Sequence, residues 1–433
     1  MKKSTLLFSA LLLAGCAAAP KLAMPPATVA PQPVTPMQWI QLGEGGAAEL
    51  RAVMEEKAAG CPQLTANDGR RIGLTPRAPA DDKFALLCSA TLPQGVRIPG
   101  VPAVNLNPQR IVILGDTGCR LLGQTIQNCN NPQDWPFYNI AAAAAHLKPD
   151  LVIHVGDYQY RESPCPPGNQ GCAGTPYGDN WPAWKADFFA PAAPLLAAAP
   201  WIFVRGNHED CNRAGPGFLR LLGPLAWSAE CAGHLSPFRV PLGDFALMVM
   251  DNADASDTAV DPAKIPTYEA DLAATATPSP LPVWLAMHRP IWAAITGPLG
   301  VPAGGNAQII AAAQKTMIDK PVTLMLSGHI HSFEILNYSR RGKDGVPPPQ
   351  IVAGNGGDNL DVTPANLSGT IFQGRSGVSV KEGLSVGGFG FLLMTRNAAG
   401  WAIDLYNSAG VVEGQCQFTA AGDRLDCPTL PRR

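Results

Sequence analysis

No block of lysine and arginine interrupts this chain, and its 32 basic residues nearly balance 34 acidic ones. A sequence-independent grip on nucleic acid needs a basic stripe, so nucleic acid is not an expected partner. No heptad stretch and no internal repeat stands out, which argues against a coiled coil or a solenoid. CxxC spacing is absent although the chain has 11 cysteines, which disfavours a thiolate metal site. After the first residues no segment reads as membrane-spanning: the most apolar, residues 186–204, carries Asp187 and three prolines. What is there is 46% hydrophobic residues in a chain of 433, enough for a substantial core and, by length, roughly two to three domains.

The start reads as a targeting signal. Met1-Lys2-Lys3 is a charged n-region, and Ser4 to Leu13 is an apolar stretch too short to span a bilayer as a mature helix. It ends in LAGC, Leu13 to Cys16, which resembles a bacterial lipobox. That resemblance implies cleavage before Cys16 and lipid attachment at its sulfur; an ordinary secretory signal cleaved nearby is the alternative. Ala17 follows the cysteine where an aspartate would resemble an inner-membrane retention signal, so the expectation is a lipoprotein of the outer membrane facing the periplasm. The other cysteines agree with export. Cys61, Cys88, Cys119, Cys129, Cys165, Cys172, Cys211, Cys231, Cys416 and Cys427 form an even set, as disulfides in an oxidising compartment require. Connectivity is not dictated by sequence, but pairing each cysteine with its nearest neighbour is the simplest scheme.

Residues 17–36 are rich in Ala and Pro and read as an extended tether. Residues 37–108 read as a small β-rich domain with short strand-like pieces and many turn residues, Trp39 being a core anchor. In residues 109–433 the pattern changes. RIVIL from Arg110, LVIH from Leu151 and WIFV from Trp201 are apolar strands separated by helical stretches at Trp135 to Leu147 and Trp181 to Ala198. That alternation is the signature of βαβ units. FALMVMD, LPVWLAMH and VTLMLSGH read as later strands. QIVAGNGG, GFGFLLMTR and WAIDLYNS are expected to form a second, more antiparallel sheet, and CQFTAAGDRLDC a terminal hairpin closed by its own cysteines.

Each buried strand then stops at a polar group. Gly115-Asp116-Thr117-Gly118 follows RIVIL; Gly156-Asp157, with Tyr160 three residues on, follows LVIHV; Gly206-Asn207-His208-Glu209 follows WIFVR. His288 follows PVWLAM, and Gly328-His329-Ile330-His331 follows VTLMLS. Open α/β sheets bind ligands beyond the carboxyl ends of their strands, so groups in these positions converge. A single Gly-Asp is most often a polar turn; five such endings in series, each with an oxygen or imidazole ligand, are a strong signal. Of the seven histidines, His208, His288, His329 and His331 lie in them.

In this order, GDxG, GDxxY, GNHE, a lone His and GHxH, the motifs resemble those of the calcineurin-like metallophosphoesterases, and more narrowly the purple acid phosphatases. The resemblance covers Arg110 to about Glu334 well and the region before it hardly at all. It implies an α/β fold, a four-layer α/β/β/α sandwich, and a binuclear metal centre that hydrolyses a small phosphate ester. The general superfamily carries a histidine where Gly118 stands; Tyr160 is the purple-type replacement for it. By the family's pattern, one metal takes Asp116, Tyr160 and His331, Asp157 bridges, and a second metal takes Asn207, His288 and His329. The first set carries two anions plus a share of Asp157, which favours iron(III); the second suits Zn(II), Fe(II) or Mn(II), with two zinc ions as the alternative. The implied chemistry is attack on phosphorus by a metal-bound hydroxide, with His208 contacting phosphate and protonating the leaving oxygen and Glu209 supporting it.

Other polar groups carry less. His154 reads as a core histidine, His146 as a favourable cation at a helix C-terminus, Asp251 as a turn residue, and His234 has no assignment. One departure stands out. Purple acid phosphatases usually carry a phosphate-binding histidine about nine or ten residues after the lone ligand His; HRPIWAAITGPLG has none, and Arg289 is the neighbouring donor that could serve. The reading is an acid phosphatase-like phosphomonoesterase. Its rivals are a phosphodiesterase or nucleotide hydrolase using the same centre and, less favoured, a non-catalytic envelope-binding lipoprotein.

Overall fold

The computed structural model describes residues 37–55, 60–275, 277, 279–296, 302–303, 305–313, 321–340, 345–364, 366–371, 377–422 and 424–428. Cys16 and the tether at 17–36 lie outside them. Among the described residues no helix is long and apolar enough to cross a membrane.

Two sheets face each other. In the first, Arg110–Leu114, Leu151–His154 and Trp201–Phe203 lie parallel and adjacent, joined by the helix Phe137–His146 and by the helical stretch from Trp181 to Leu196. In the second, Phe245–Val249, Val283–Ala286, Val322–Ser327 and Gln350–Ala353 are parallel neighbours. Strand alternation sorts the apolar side chains into layers. Ile111, Ile113 and Ile153 of the first sheet meet Leu247, Trp284 and Leu326 of the second between the sheets. Val112, Leu114 and Val152 face outward onto Phe137, Ile140 and Leu195 of the helices. Met248, Leu285 and Met325 face the opposite way, onto Tyr268, Leu272 and Ile309 of the helices Ile265–Thr275 and Ala307–Ala313. Helix, sheet, sheet, helix: these are the four layers expected.

Two groupings differ from the sequence expectation. Gly390–Asn397 and Gly400–Asn407 do not build the second sheet. They join the first, antiparallel beside Arg110–Leu114, with Leu392 opposite Ile113 and Met394 opposite Ile111. Gln350–Ala353 stays in the second sheet, parallel to Val322–Ser327. Period-2 alternation marks a strand and its buried face but carries no information about which distant strand covers its edge. The N-terminal region is β-rich, and its strands continue the first sheet: Met37–Leu42 pairs with Trp201–Phe203 on one side and Ala48–Met54 on the other. Trp39 is fully buried against Phe189. The terminal strands Val412–Thr419 and Leu425–Asp426 pair as a hairpin closed by Cys416–Cys427. The remaining cysteines also pair with their nearest neighbours: Cys61–Cys88, Cys119–Cys129, Cys165–Cys172 and Cys211–Cys231.

Candidate active site

Register places the motifs at one edge. Leu114 is level with His154, and His154 with Phe203; in the other sheet Val249 is level with Ala286 and Ala286 with Leu326. The segments that leave these strands therefore emerge together. Asp116, Asp157 and His329 all hold left-handed backbone, with φ of 55°, 60° and 70°. Such conformations at non-glycine residues cost on the order of 1–3 kcal/mol each and persist only where the surroundings over-determine them. Gly156, itself at φ 105°, lets the second loop close on the second sheet: a Cβ there would lie 2.4 Å from His288 Nδ1.

Two clusters share one carboxylate oxygen. Tyr160 Oη lies 3.1 Å from Asp116 Oδ1, 2.8 Å from Asp157 Oδ2 and 3.1 Å from His331 Nε2. On the other side of Asp157 Oδ2, His288 Nε2 stands at 3.1 Å and is itself 3.1 Å from Asn207 Oδ1. Asp157, His288 and His329 offer ligand atoms within 4.8 Å of one another. Donors that share one metal ion at roughly 2.1 Å stand about 3 Å or a little more apart, and the separations here are of that size.

The imidazoles are oriented from outside. His288 Nδ1 lies 2.8 Å from the Val155 carbonyl, His331 Nδ1 2.7 Å from that of Asn359, and His329 Nε2 2.9 Å from Asp257 Oδ2. Each ring thus ties one nitrogen to an acceptor and leaves the other for the centre, the arrangement that metal-binding histidines adopt. The charge balance also calls for cations. Burial, with the charges of Asp157 and Asp116, pushes the Tyr160 phenol well above its ordinary range. Burial opposes protonation of His331, yet Asp358 and Asp116 raise it to about 10; burial likewise opposes protonation of His288, which Asp157 and Asp116 raise to about 9. The carboxylates here attract positive charge strongly, and the donor set fits two metal ions.

Gly118 explains the tyrosine. A Cβ at this position would sit 2.7 Å from Tyr160 Cδ2, 2.7 Å from the Tyr158 carbonyl and 2.8 Å from Asp187 Oδ2. The ring of Tyr160 fills the space that a side chain at 118 would need. Asp187, the lone acid of an apolar helical run, accepts from the backbone N–H groups of Cys119 (2.8 Å) and Tyr160 (2.6 Å) and from Arg161 Nε (2.9 Å). It locks the first and second motif loops together.

His208 packs on Tyr160, with ring centroids 3.7 Å apart, and its backbone N–H donates to Asp157 Oδ1 at 2.8 Å. Its side-chain partner is not Glu209. Glu162 Oε1 lies 2.7 Å from His208 Nδ1, and Arg213 pairs with Glu162. Glu209 is turned inward, accepting from the backbone N–H groups of Gly206, Asp157, Tyr158 and Gln159 at 2.9–3.2 Å. Burial and the charge of Asp157 raise Glu209 to about 8. Burial lowers His208 from its ordinary value, against the pull of Asp157 and Glu162.

Among the residues not singled out from sequence, Asp358 is fully buried beside His331 and ion-paired to Arg120, whose guanidinium lies 4.9 Å over the Tyr160 ring. The strand–glycine–acid order of VAGNGGD was a usable signal for it. Asp257, Glu162 and Arg213 had none. His154 is a core residue, 3.0 Å from Thr117 Oγ1 and stacked on Tyr158; Asp251 is held by Arg205 at 3.2 Å and by the N–H groups of Leu235 and Ala253. His234 pairs with Asp271 at 2.9 Å.

The sequence profile of the calcineurin-like phosphoesterases matches residues 109–333, more than half of the 433. The chain belongs to that family. This phosphoesterase is therefore a metal-dependent hydrolase of phosphoric esters. Its fold is similar to that of a purple acid phosphatase, PPD1, from yellow lupin (Lupinus luteus) seeds, with a TM-score of 0.55 over 87% of this chain and 72% of that one at 14% identity. It is also similar to PhoD, with a TM-score of 0.50 over 93% and 94% of the two chains at 12% identity. At these identities the likeness is one of fold. Comparison with curated protein sequences finds no match.

Proposed function

We propose that this phosphoesterase hydrolyses phosphomonoesters at a two-metal centre, in the manner of an acid phosphatase. The observation that carries the reading is the position of Asp157 Oδ2, within 3.1 Å of both Tyr160 Oη and His288 Nε2, so that this carboxylate belongs to both clusters. Asp116, Tyr160 and His331 would hold the first metal and Asn207, His288 and His329 the second, with Asp157 shared. Two anionic ligands and a shared carboxylate favour iron(III) in the first position; an amide and two imidazoles suit Zn(II), Fe(II) or Mn(II) in the second. When bound, such a pair supplies a water nucleophile of lowered pKa and neutralises phosphate charge.

The protein's own groups do the rest. Glu209 stiffens the Asp157 and Asn207 loops through four backbone N–H groups. Glu162 at Nδ1 and Arg213, 3.0 Å from Nε2, fix the His208 ring, whose proposed part is to hold a proton for the leaving oxygen. Because burial lowers His208, the protonated form that an acid needs is populated on the acid side of neutrality, which supports an acidic optimum. The chain is further proposed to be exported and tethered through Cys16 to the outer membrane, facing the periplasm, on the strength of LAGC and the disulfides.

The test is hydrolysis of an aryl phosphate monoester and its matching diester by a form lacking residues 1–16, with His329→Ala as background. Monoester release that vanishes in the variant is expected. Preference for the diester would move the protein to phosphodiesterases.

A further inference from the structure

A cavity of about 500 Å³ abuts the second cluster. It is joined to the centre through Asp257, whose Oδ2 is 2.9 Å from His329 Nε2, and through Arg289, which follows His288 and ion-pairs with Asp257. Its lining also includes the segment from Asp210 to Asn212, which directly follows His208 and Glu209. The cavity therefore touches the segments that directly follow both His208–Glu209 and His288.

The lining is unusual in what it offers. Among the described residues none is aromatic, and its only hydrocarbon side chains are those of Ala253 and Ala255. Apart from Gly233 and the disulfide-bonded Cys211, the rest are polar: Asn212, Ser256, Thr258, Lys264 and Arg289, with the carboxylates of Asp210, Asp254 and Asp257. Several keep donors in hand. Ser256 Oγ accepts from the backbone N–H groups of Thr258 (3.4 Å) and Ala259 (3.1 Å), which leaves its hydroxyl proton to give. Arg289 pairs with Asp257 through Nη1, while its buried Nε has no partner among the described residues. Lys264 is positioned by Asp254, 2.8 Å away.

We infer that this cavity receives the alcohol half of the ester and selects a hydroxyl-rich alcohol, as in a sugar phosphate, over a nucleoside or an aryl alcohol. The inference rests on the phosphomonoesterase reading above. The physical reason is the asymmetry of polar pockets. A polyol satisfies the donors and acceptors that a flat ring leaves unpaired, and sites built to hydrogen-bond a hydroxyl reject partners lacking it more strongly than apolar pockets discriminate. A nucleobase also finds no aromatic face on which to stack.

The experiment compares a hexose 6-phosphate with adenosine 5′-monophosphate, two esters of primary alcohols whose leaving groups are chemically matched. An aryl monoester serves as the measure of the centre itself. The kcat/KM for the sugar ester is expected to exceed that for the nucleotide by about tenfold or more. Thr258→Trp, at the exposed lip of the cavity, should raise KM for the sugar ester about tenfold while leaving the inhibition constant of inorganic phosphate unchanged. Equal kcat/KM for sugar ester and nucleotide, an unaltered KM in the variant, or a parallel rise in the phosphate constant would each overturn the inference with the phosphatase reading intact. No turnover of any of the three esters would overturn that reading and this one with it.

Discussion

Replacing Gly118 by alanine adds one methyl group to a place where three neighbours stand within 2.8 Å of its position. Carbon contacts are at rest near 3.5–4.0 Å, so something has to move by roughly 0.7 Å or more. The Tyr158 carbonyl is backbone, and the Asp187 carboxylate is held by two backbone N–H groups and Arg161. The ring of Tyr160 is the member that yields, and its hydroxyl leaves contacts of 2.8–3.1 Å with Asp116, Asp157 and His331. Overpacking of this kind costs about 1–3 kcal/mol, and a misplacement near 1 Å at a catalytic centre costs on the order of 10²-fold in rate. Urea denaturation of the metal-free variant measures the first term, and kcat/KM of the metal-loaded variant on an aryl monoester the second. Gly73→Ala is the control, since a Cβ there meets nothing within 4 Å. If Gly118→Ala matched wild type in both assays, the packing argument that links the missing histidine to Tyr160 would be wrong.

Tyr160→Phe should keep the fold and abolish any purple colour of the iron-loaded protein; a visible absorption band that survives would remove Tyr160 from the metal. His208→Asn should lower kcat on an alkyl monoester by about 10²–10⁴-fold and on an aryl monoester much less, because only the poor leaving group needs a proton. In wild type the alkyl rate should fall as pH rises through the lowered pKa of His208, and that limb should vanish in the variant; its persistence would point to another acid. Adding metal to the metal-free protein at pH 7 should release protons, since His331 and His288, with pKa values near 10 and 9, are charged there and must give up a proton to ligate. A weakly buffered indicator assay that registers no release would contradict the ligand set. Cys211→Ser with Cys231→Ser opens a loop of separation 20, at about 3 kcal/mol of stability, and should also raise KM for a sugar ester because Cys211 lines the cavity.

Much of the candidate centre was legible in the sequence because its grammar is local. A glycine followed by an oxygen or imidazole group at the end of a buried strand needs only short-range rules to be seen; Asp116, Asp157, Asn207 and His329 obey them, and His288 ends its strand without the glycine. The disulfide pairs were legible for the same reason, each closing a short neighbouring segment. What tertiary structure alone decided depends on contacts between residues far apart in the chain. Gly390–Asn397 lies beside Arg110–Leu114 because their buried faces match in register, which no window of sequence contains. Glu162 rather than Glu209 reaches His208, because the short helical turn Asn207–Glu209 points Glu209 back under Asp157 while the second motif loop carries Glu162 around to the imidazole. Asp257 and the Asn359 carbonyl orient His329 and His331 from 72 and 28 residues away in sequence. Sequence determined which atoms are available as ligands; the packing of two sheets determined how those atoms are oriented, and it also produced the polar cavity beside them.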